Sequence, residues 1–439
     1  MQFAGQVINP KVILAWLWFF LLLMSYYVLK PLRDGLGATL ASELGWWYLA
    51  TFVTMLVVMA IYARLTDQLG TQWLVVYVYE FFACCMLGFA LYMQGWNDPP
   101  YWLTGCFFVW VSVFNLMTVA LFWSVMTDVF DTHEGKKWFG ILASAGSAGA
   151  LAGSAMTIYL TSLGKHGLLL LSCVGIQFTI AISFYLIELR RKERQNQTNN
   201  TTLHPSNDSP KSDLVESAID STSTNQTPSG LLAGMARVAS SRYLLALCGY
   251  VVIGKFAATF IYNNLQLSFK ASEITAEIRT SWFAQMNLVT QVGSMVIQGL
   301  VVAWLFRWIG VRGVLAIPCA TVLALLFALT IEPGLGVLIA SQVIQQIVGY
   351  GLMTPGQNVL FTVLSRQDRY VSKGFIDTVV FRFSDVLAAQ LCTQLIATGT
   401  KLPLLAAGII PLMFVWCFLG IRLGKEYDRR SEAMPPKAV

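Results

Sequence analysis

Residues 12–29 read VILAWLWFFLLLMSYYVL, an apolar run without a single charge. About 18 such residues are enough for an α-helix to cross the hydrocarbon core of a membrane. The run leads into the charged segment KPLRD at 30–34, not into the small-residue site at which a signal peptide is cleaved. We therefore interpret it as a retained first membrane helix.

Similar apolar runs recur along almost the whole chain. Of its 439 residues, 56% are hydrophobic and 12% are charged, whereas soluble domains carry roughly 25% charged residues. Such a chain cannot hide its apolar surface in water, so the sequence predicts an all-α membrane protein with twelve transmembrane helices. The runs lie at about 11–30, 46–64, 72–93, 101–127, 138–160, 167–187, 242–267, 282–306, 312–331, 335–361, 374–399 and 402–423.

One long polar segment divides the runs into two groups of six. Residues 188–241 open with a basic cluster and continue in Asn, Thr, Ser and Pro, a composition that cannot bury a core. We predict an N-terminal six-helix half at 1–187, a disordered cytoplasmic linker at 188–241, and a C-terminal six-helix half with a short basic tail at 242–439. Short, basic, glycine-containing turns at 64–70 and 307–313 indicate that the halves are internal repeats.

The basic residues sort the predicted loops into two sides. If both termini are cytoplasmic, that side holds 21 of the 29 Lys and Arg residues, the opposite side holds six, and two lie inside helices. Because positively charged loops are retained in the cytoplasm, this bias predicts cytoplasmic termini. The six residues of the opposite side are Lys30, Arg33, Lys165, Lys270, Arg279 and Lys401.

Several function classes find little support in the composition. The eight cysteines form no CxxC pair, so we expect no disulfide, no metal site and no cofactor. The three histidines lie in predicted loops or in the linker, no nucleophile–base pair occurs in the helices, and no GxxxxGK motif is present. We therefore expect neither an enzyme nor an ATP-driven pump. The net charge of +6 follows from the cytoplasmic loops and does not indicate a nucleic-acid partner.

Three stretches carry a resemblance to a known family. Residues 27–34 read YVLKPLRD, 122–128 read FWSVMTD and 136–140 read KKWFG. Together with the two six-helix halves, these stretches resemble the major facilitator superfamily, and more narrowly its bacterial branch related to ATP/ADP (NTP/NDP) translocases. The resemblance implies the major facilitator fold and a transport function, and it raises nucleotide exchange as one activity. Leu36 and Gly37 stand where the nucleotide exchangers carry a lysine and an acid.

Lys255 interrupts the seventh apolar run near the middle of the membrane. An ionisable group at that depth costs at least about 2.5–3.5 kcal/mol, so it needs a partner or a wet cavity. We expect Lys255 to contact a solute or a coupling proton; the alternative is an ion pair inside the bundle, with Asp385 or Glu80. Four polar side chains follow it on the same helical face: Thr259, Tyr262, Asn263 and Gln266.

Arg382 interrupts the eleventh run at similar depth, with Asp385 three residues later on the same face. The two can form an ion pair, which is compatible with either a structural or a binding role. If Asp385 neutralises only one of the two buried cations, the cavity keeps a positive charge, which suits an anionic solute or a changing proton occupancy. Tyr27, Gln291 and Gln346 are further candidates for solute contacts, although buried amides can equally join one helix to another.

Charged residues of opposite sign occupy the predicted cytoplasmic links of the two halves. We predict an ion-pair latch that forms when the cytoplasmic side closes; a solvated basic rim is the alternative. Pro355 should break the helix near this side and could serve as a gate hinge, whereas Gly149 and Gly153 predict a close approach of two helices. The gate candidates are Arg64, Asp67, Asp128, Asp131, Arg366, Arg369 and Lys373.

Taken together, these features predict a secondary active transporter, either antiporter or symporter. We expect a monomer in the cytoplasmic (inner) membrane of a bacterium, whose partners are lipid, a small solute and a coupling ion or counter-substrate. Two alternatives stay open at this point: a nucleotide exchanger of the ATP/ADP type, and a non-transporting sensor or assembly factor built on a transporter scaffold.

Overall fold

The computed structural model of the chain is almost entirely helical. It describes residues 2–3, 6–7, 10–96, 99–130, 132–203, 228–272 and 274–433. A short antiparallel pair, β1 (Gln2–Phe3) and β2 (Gln6–Val7), precedes the helices. The α-helices are α1 Pro10–Gly37, α2 Leu44–Gln68, α3 Thr71–Met93, α4 Tyr101–Val129, α5 Thr132–Leu160, α6 Gly164–Leu203, α7 Pro228–Ser240, α8 Arg242–Ala271, α9 Ala276–Val296, α10 Val302–Ile331, α11 Leu335–Val348, α12 Thr354–Leu360, α13 Arg366–Phe375, α14 Phe381–Ala397 and α15 Leu402–Glu432.

These elements join into long apolar runs. Within the described ranges, nine helical runs are long and apolar enough to cross a membrane, which makes the chain a multi-pass membrane protein. Three of them, Pro10–Thr66, Lys137–Glu193 and Ala276–Ile331, are 56 or 57 residues long. Each of the three contains an interruption of the α-helix: the 3-10 helix Ala38–Glu43, the 3-10 turn Thr161–Leu163, and Gly310 with φ 65°.

Helix α1 is longer than the first apolar run predicts. The run predicts a helix end at residue 30, with Lys30 and Arg33 in an outer loop. The helix instead continues through Pro31 to Gly37, Lys30 is buried, and the Arg33 side chain is only 15% exposed. Arg279 was also assigned to an outer loop, yet it lies on α9 and is 7% exposed. A charge next to a proline usually marks a helix end; here buried polar partners allow the helix to continue.

The buried apolar side chains form two clusters that follow the order of the chain. One cluster is built from residues 12–186 and the other mainly from residues 238–423. Four side chains of the 3-10 helix, α2 and α4 join the second cluster: Ala38, Leu40, Leu44 and Phe108. The segment after α1 therefore packs against helices from the distant part of the chain.

Helix α5 packs directly on the backbone of α1. A methyl group placed at Gly149 would lie 2.3 Å from the carbonyl oxygen of Phe20, and one at Gly153 would lie 2.4 Å from that of Met24. Only glycine allows so close an approach, which confirms the contact predicted from the GxxxG spacing.

Three π-helical turns interrupt helices in the C-terminal part of the described structure: Ile297–Val301, Gly349–Met353 and Ile376–Val380. Thr354 alone separates the second turn from Pro355, whose ring nitrogen cannot donate a hydrogen bond. The carbonyl oxygen of Tyr350 instead accepts a hydrogen bond from Gln298 Nε2 at 2.9 Å. The predicted break near Pro355 is therefore a widened turn satisfied by a side chain of a neighbouring helix.

The described ends of the predicted linker are helical. Helix α6 continues to Leu203, and α7 packs on α13, where Arg237 Nη2 lies 2.5 Å from Asp368 Oδ2. The hydrogen bond from this guanidinium lowers the pKa of the Asp368 carboxyl below its ordinary value. Residues 204–227 lie outside the described residues, so the linker prediction stays a prediction for them.

Candidate functional site

A cavity of about 660 Å³ lies between helices that belong to the two hydrophobic clusters. Before the linker, its walls come from α1, α2, α4 and α5; after the linker, they come from α8, α9, α11, α12 and α14 and from the π-helical turns Ile297–Val301 and Gly349–Met353. Six ionisable side chains with carboxylate, ammonium or guanidinium groups line it: Lys30, Arg33, Asp34, Lys255, Arg382 and Asp385. Such groups need partners or water at membrane depth, so the cavity is the first candidate for a functional site.

The residues singled out on α8 and α14 meet in this cavity. Arg382 Nη1 lies 3.8 Å from Asp385 Oδ2, and the hydroxyl of Thr259 donates to Asp385 Oδ1 at 2.8 Å. The Lys255 ammonium lies 3.9 Å from the centre of the Phe381 ring. Lys255 forms no ion pair with any carboxylate that the structure describes.

The alternative partners considered for Lys255 are engaged elsewhere. Asp385 is held by Thr259 and Arg382, and Glu80 accepts a hydrogen bond from Gln177 Nε2 at 3.0 Å. The ammonium of Lys255 is therefore stabilised by an aromatic face and by the open cavity, an arrangement that leaves its hydrogen-bonding capacity available.

Helix α1 contributes three ionisable residues that sequence reasoning missed. Lys30 Nζ donates to Asn287 Oδ1 of α9 at 2.7 Å. Arg33 donates to Asp34 Oδ1 at 2.6 Å and to the hydroxyl of Ser112 at 3.2 Å. The charges beside Pro31 predict a helix end, whereas the helix continues to Gly37 and carries these charges into the bundle.

The cavity carries more positive than negative charge. Among its described lining residues, four are basic and two are acidic, a formal excess of two positive charges. Each of the two carboxylates is paired with an arginine, Asp34 with Arg33 and Asp385 with Arg382. Lys30 on α1 and Lys255 on α8 are the two lysines of the described cavity lining, one in each part of the chain, and neither forms a salt bridge with a carboxylate of the described structure.

The remaining residues of the predicted α8 face lie at one end of the cavity or behind it. Tyr262 lines the cavity and its hydroxyl donates to Asp34 Oδ1 at 2.9 Å. Gln266 does not line the cavity; its Nε2 donates to the backbone carbonyl of Asp34 at 3.0 Å. Asn263 is fully buried behind the wall. The helical period correctly places these residues on one side of α8. They lie at different positions along the helix axis, however, so only some of them reach the cavity.

Amide side chains line the cavity as the sequence suggested. Gln291 Nε2 donates to the hydroxyl of Tyr27 at 2.7 Å, which joins α9 to α1. Gln346 Oε1 accepts from the hydroxyl of Thr290 at 3.3 Å, which joins α11 to α9. These bonds join helices, and the same side chains face the cavity together with Gln298, Gln342, Gln345 and Gln357.

One end of the cavity is covered by contacts between α1, α8 and α9, which we call the closed end. Arg279 Nε donates to the carbonyl of Gly35 at 2.9 Å, next to the bond from Gln266 to Asp34. The carbonyls near the end of a helix carry partial negative charge, so a buried arginine is well placed there. A methyl group at Gly35 would lie 2.3 Å from Thr280 Oγ1 and 2.8 Å from its backbone nitrogen.

The opposite end of the cavity is more accessible. Two lining residues, Asp34 at the closed end and Gln342 in the middle of α11, are each 3% exposed. Tyr350, two turns further along the same helical run as Gln342, is 43% exposed, and Thr354 beyond it is exposed. The cavity therefore opens at the end where α8 begins and α12 ends.

The described gate candidates make contacts near their own helices. Thr71 donates to Asp128 Oδ2 at 3.4 Å, Arg369 donates to the carbonyls of Thr362 and Leu364, and Lys373 lies 5.9 Å from the centre of the Phe361 ring. Arg64 is exposed near the end of α2. Asp131 and the side chains of Asp67 and Arg366 lie outside the described residues. The latch stays a prediction.

A helical membrane protein with a charged cavity open at one end has the architecture of a solute transporter. The chain belongs to the Major Facilitator Superfamily, whose family model matches residues 13–389. No curated protein sequence matches the chain as a relative. The superfamily fold predicted from the sequence is thereby confirmed.

Solved structures of transporters share this fold. The chain is similar to a point mutant of the nucleoside transporter NupG, with 14% identity, TM-score 0.56 and coverage of 96% of this chain and 100% of that chain. It is also similar to a POT family transporter in complex with 5-aminolevulinic acid, with 11% identity, TM-score 0.61 and coverage of 97% and 98%. A third is a bacterial homologue of the iron transporter ferroportin in an inward-facing state, with 9% identity, TM-score 0.61 and coverage of 97% and 100%. Identities this low establish the fold alone.

Proposed function

We propose that the protein is a secondary active transporter that moves a small anionic solute across the cytoplasmic membrane of a bacterium by alternating access. The observation that carries this proposal is the pair Lys30 and Lys255, two lysines in one cavity that form no salt bridge with a carboxylate of the described structure. An unpaired charge at membrane depth is costly, and a bound anion offsets this cost. Because one lysine comes from each part of the chain, an anion between them bridges the two halves.

The membrane arrangement proposed here has twelve spans with both termini in the cytoplasm. A 56-residue helix would be about 84 Å long at 1.5 Å per residue, about twice the thickness of a bilayer. The interruptions in the three longest runs support a division of each run into two spans. With Lys30 and Arg33 inside the bundle, the outer side keeps four of its six basic residues, Lys165, Lys270, Arg279 and Lys401, which strengthens the orientation argument.

In this orientation the closed end faces outward and the cavity opens to the cytoplasm. The two six-helix halves, at 1–187 and 242–439, then rock about the central site. Opening the outer side requires the contacts of Gly35 with Arg279 and Thr280 to separate. Closing the cytoplasmic side brings together the charged links that contain Asp128 and Arg369, as the latch predicts.

Nucleotide exchange is a second candidate, favoured by one observation. The YVLKPLRD stretch at 27–34 on which the resemblance to ATP/ADP translocases rests supplies Lys30 and Arg33 to the cavity. With Lys255 and Arg382, four basic side chains are then available to the phosphate groups of a nucleotide. A protein that binds a solute in this cavity without transporting it, as a sensor would, is the candidate from another class.

The test is uptake into liposomes reconstituted with the purified protein. Labelled phosphate, succinate, citrate, ATP and glucose are offered with and without an imposed pH gradient. We expect at least one anion to be transported and glucose to be excluded. Lys30→Gln and Lys255→Gln should each lower kcat/KM for that anion by about tenfold to hundredfold, since a charge-assisted hydrogen bond is worth roughly 1.5–3 kcal/mol.

Matched variants make the result specific. Lys30→Arg and Lys255→Arg keep the charge and should retain most of the transport, and Lys401→Gln, on an exposed loop, should behave as the wild type. Uptake of ATP only in exchange for internal nucleotide would establish the second candidate, whereas dependence on the pH gradient would establish proton coupling. Transport of glucose in preference to every anion contradicts the proposal, and binding without any transport favours the sensor.

A further inference from the structure

A second cavity, of about 690 Å³, lies on the far side of the closed end. Its walls are the end of α1 with the following 3-10 helix, the start of α6, and the turn between α8 and α9. We call it the outer crevice. It is formed between elements that precede the linker and elements that follow it, so its walls move apart when the closed end opens.

The outer crevice is rich in basic groups. Lys165 lines it from α6, while Lys270 and Arg279 line it from α8 and α9. Among the described lining residues, Glu277 is the acidic one, and its carboxylate faces the start of α6 near Gly164. Among the described lining residues, three basic groups therefore stand against one carboxylate, and the basic side chains lie on both walls.

Only the last turns of α1 separate the outer crevice from the central cavity. Asp34 lines the central cavity, and Leu36 lines the outer crevice. Arg279 stands between the two spaces, because it lines the crevice and donates to the carbonyl of Gly35. Separation of α1 from α9 at this point would join the crevice to the charged cavity.

We propose that the outer crevice is a binding site for the transported anion on the outer face, occupied before the closed end opens. This inference rests on the proposed function, since it assigns a second site to the same anionic solute. A carboxylate or phosphate group between Lys165 and Lys270 has basic partners on both walls, and Arg279 lies at its inner edge. The hydroxyl of Thr275 also lines the crevice and makes no capping bond to α9, so it is available as a donor.

Positive charge in a cleft raises the local concentration of an anion and its association rate. The site therefore acts on uptake from outside and not on release to the cytoplasm. The central site keeps its own lysines, so the maximal turnover should not depend on the charge of the crevice. Loss of a solute-capturing site should therefore impair uptake from outside alone, whereas a general loss of structure should impair transport in both directions and lower the maximal turnover. Lys270 Nζ also donates to Ser42 Oγ of the opposite wall at 3.0 Å, and raised salt, which screens charge but leaves this hydrogen bond, separates the effect of the charge from that of the bond.

The experiment compares the two directions of transport. Right-side-out and inside-out vesicles that contain the wild type, Lys165→Gln, Lys270→Gln or the double variant are offered labelled phosphate, succinate, citrate and ATP. For the anion that the wild type carries, we expect the double variant to raise KM in right-side-out vesicles by about fivefold to tenfold with little change in kcat. KM in inside-out vesicles should stay within a factor of two, as roughly expected for a site on one face only.

Three controls test whether the effect on KM comes from the charge of the crevice lysines. Lys165→Arg with Lys270→Arg should restore the wild-type KM, and Lys401→Gln should not alter it, since Lys401 lies outside the crevice lining. Raised salt should remove the difference between wild type and double variant, because exposed charges are screened. An equal rise of KM on both faces, or the same effect from Lys401→Gln, overturns the outer site while anion transport stands. If the wild type carries none of these anions, the proposed function and this site fail together.

Discussion

Gly35 of α1 lies in close contact with the backbone of α9 at the closed end. Its Cα faces the backbone of Thr280, and an added methyl group would lie 2.8 Å from the Thr280 nitrogen and 2.9 Å from its Cα. Backbone atoms, unlike the end of a flexible side chain, cannot move aside without displacing the helix. Any residue larger than glycine must therefore push α1 and α9 apart.

We expect Gly35→Ala to shift the protein towards states in which the closed end is open. Overpacking of this kind costs about 1–3 kcal/mol, which corresponds to a change of roughly tenfold in the ratio of the two states. The measurement is the rate at which an impermeant maleimide, added from outside, modifies a cysteine placed at Ser294 in the cavity wall. Gly70→Ala is the matched control, since nothing lies within 4 Å of its added methyl group. An unchanged labelling rate in Gly35→Ala would show that this contact does not govern access.

Some ionisable residues of the cavity were predictable from the sequence, and others were not, for a physical reason. Lys255 and Arg382 stand inside long apolar runs, so the cost of burying a charge pointed to them directly. Lys30 and Arg33 stand next to Pro31 at the edge of a run, where charge and proline together normally end a helix. Lys30 is held by Asn287, which is distant in sequence, and Arg33 is held by its neighbour Asp34. No periodic sequence pattern links either pair.

The packing of α5 on α1 is an element-scale contact that depends on small residues. Gly149→Leu should lower the thermal stability of the purified protein, because the added side chain meets the Phe20 carbonyl; overpacking typically costs about 1–3 kcal/mol. The melting temperature in detergent, followed by circular dichroism, measures the effect. Gly140→Leu, on the same helix but in open space, should change it far less. Equal melting temperatures for the two variants would contradict the close contact.

At the π-helical turn Gly349–Met353, the hydrogen bond from Gln298 to the Tyr350 carbonyl joins two helical runs that line the cavity. Pro355→Ala supplies an N–H group that can compete with Gln298 for the Tyr350 carbonyl, and so replaces an interhelical bond by one within the helix. One hydrogen bond contributes about 1 kcal/mol net, so we expect the turnover rate to fall about fivefold while KM for the transported solute is retained.

The control for this variant is Pro318→Ala, since Pro318 lies inside α10 and belongs to no π-helical turn of the described structure. Turnover is measured as exchange of labelled solute under saturating conditions. If both proline variants slow exchange equally, the effect belongs to proline removal in general and the turn at Gly349–Met353 has no special part in the motion.

Helices were predictable as elements because long apolar runs are an unambiguous pattern, and most predicted runs lie within observed helices. Where a helix changes its winding was not predictable. Pro355 and Gly349 signal one π-helical turn, but the turns at Ile297–Val301 and Ile376–Val380 contain no proline. Their bonds depend on packing between helices, which a single sequence does not display.

At the scale of the whole molecule, alternating access requires contacts that form only when the cytoplasmic end closes. Asp128→Lys places like charges in the proposed latch and should disfavour the state closed to the cytoplasm. Exposed ion pairs are worth up to about 1 kcal/mol, so we expect uptake to slow by roughly fivefold. The second change Arg369→Glu should recover part of the rate.

A charge reversal that stays within one helix serves as the control for the latch. The carboxylate of Glu426 pairs with Arg430 on the same helix, so Glu426→Lys should leave uptake near the wild-type rate. Uptake that is insensitive to Asp128→Lys would assign these residues to a solvated rim. Slowing without recovery in the double variant would point to a partner other than Arg369.

The three π-helical turns have a mechanical consequence for the molecule. Each inserts a residue beyond the α-helical register and weakens the ladder of main-chain bonds locally, and in the described structure all three lie after the linker, close to the cavity. The first half, with glycines of α5 seated on α1, contains none of these weak points in its described residues. The half before the linker is therefore the stiffer one, and the half after it is the more easily deformed. Amide hydrogen exchange should be faster around residues 297–301, 349–353 and 376–380 than in helices of the first half at the same depth in the membrane.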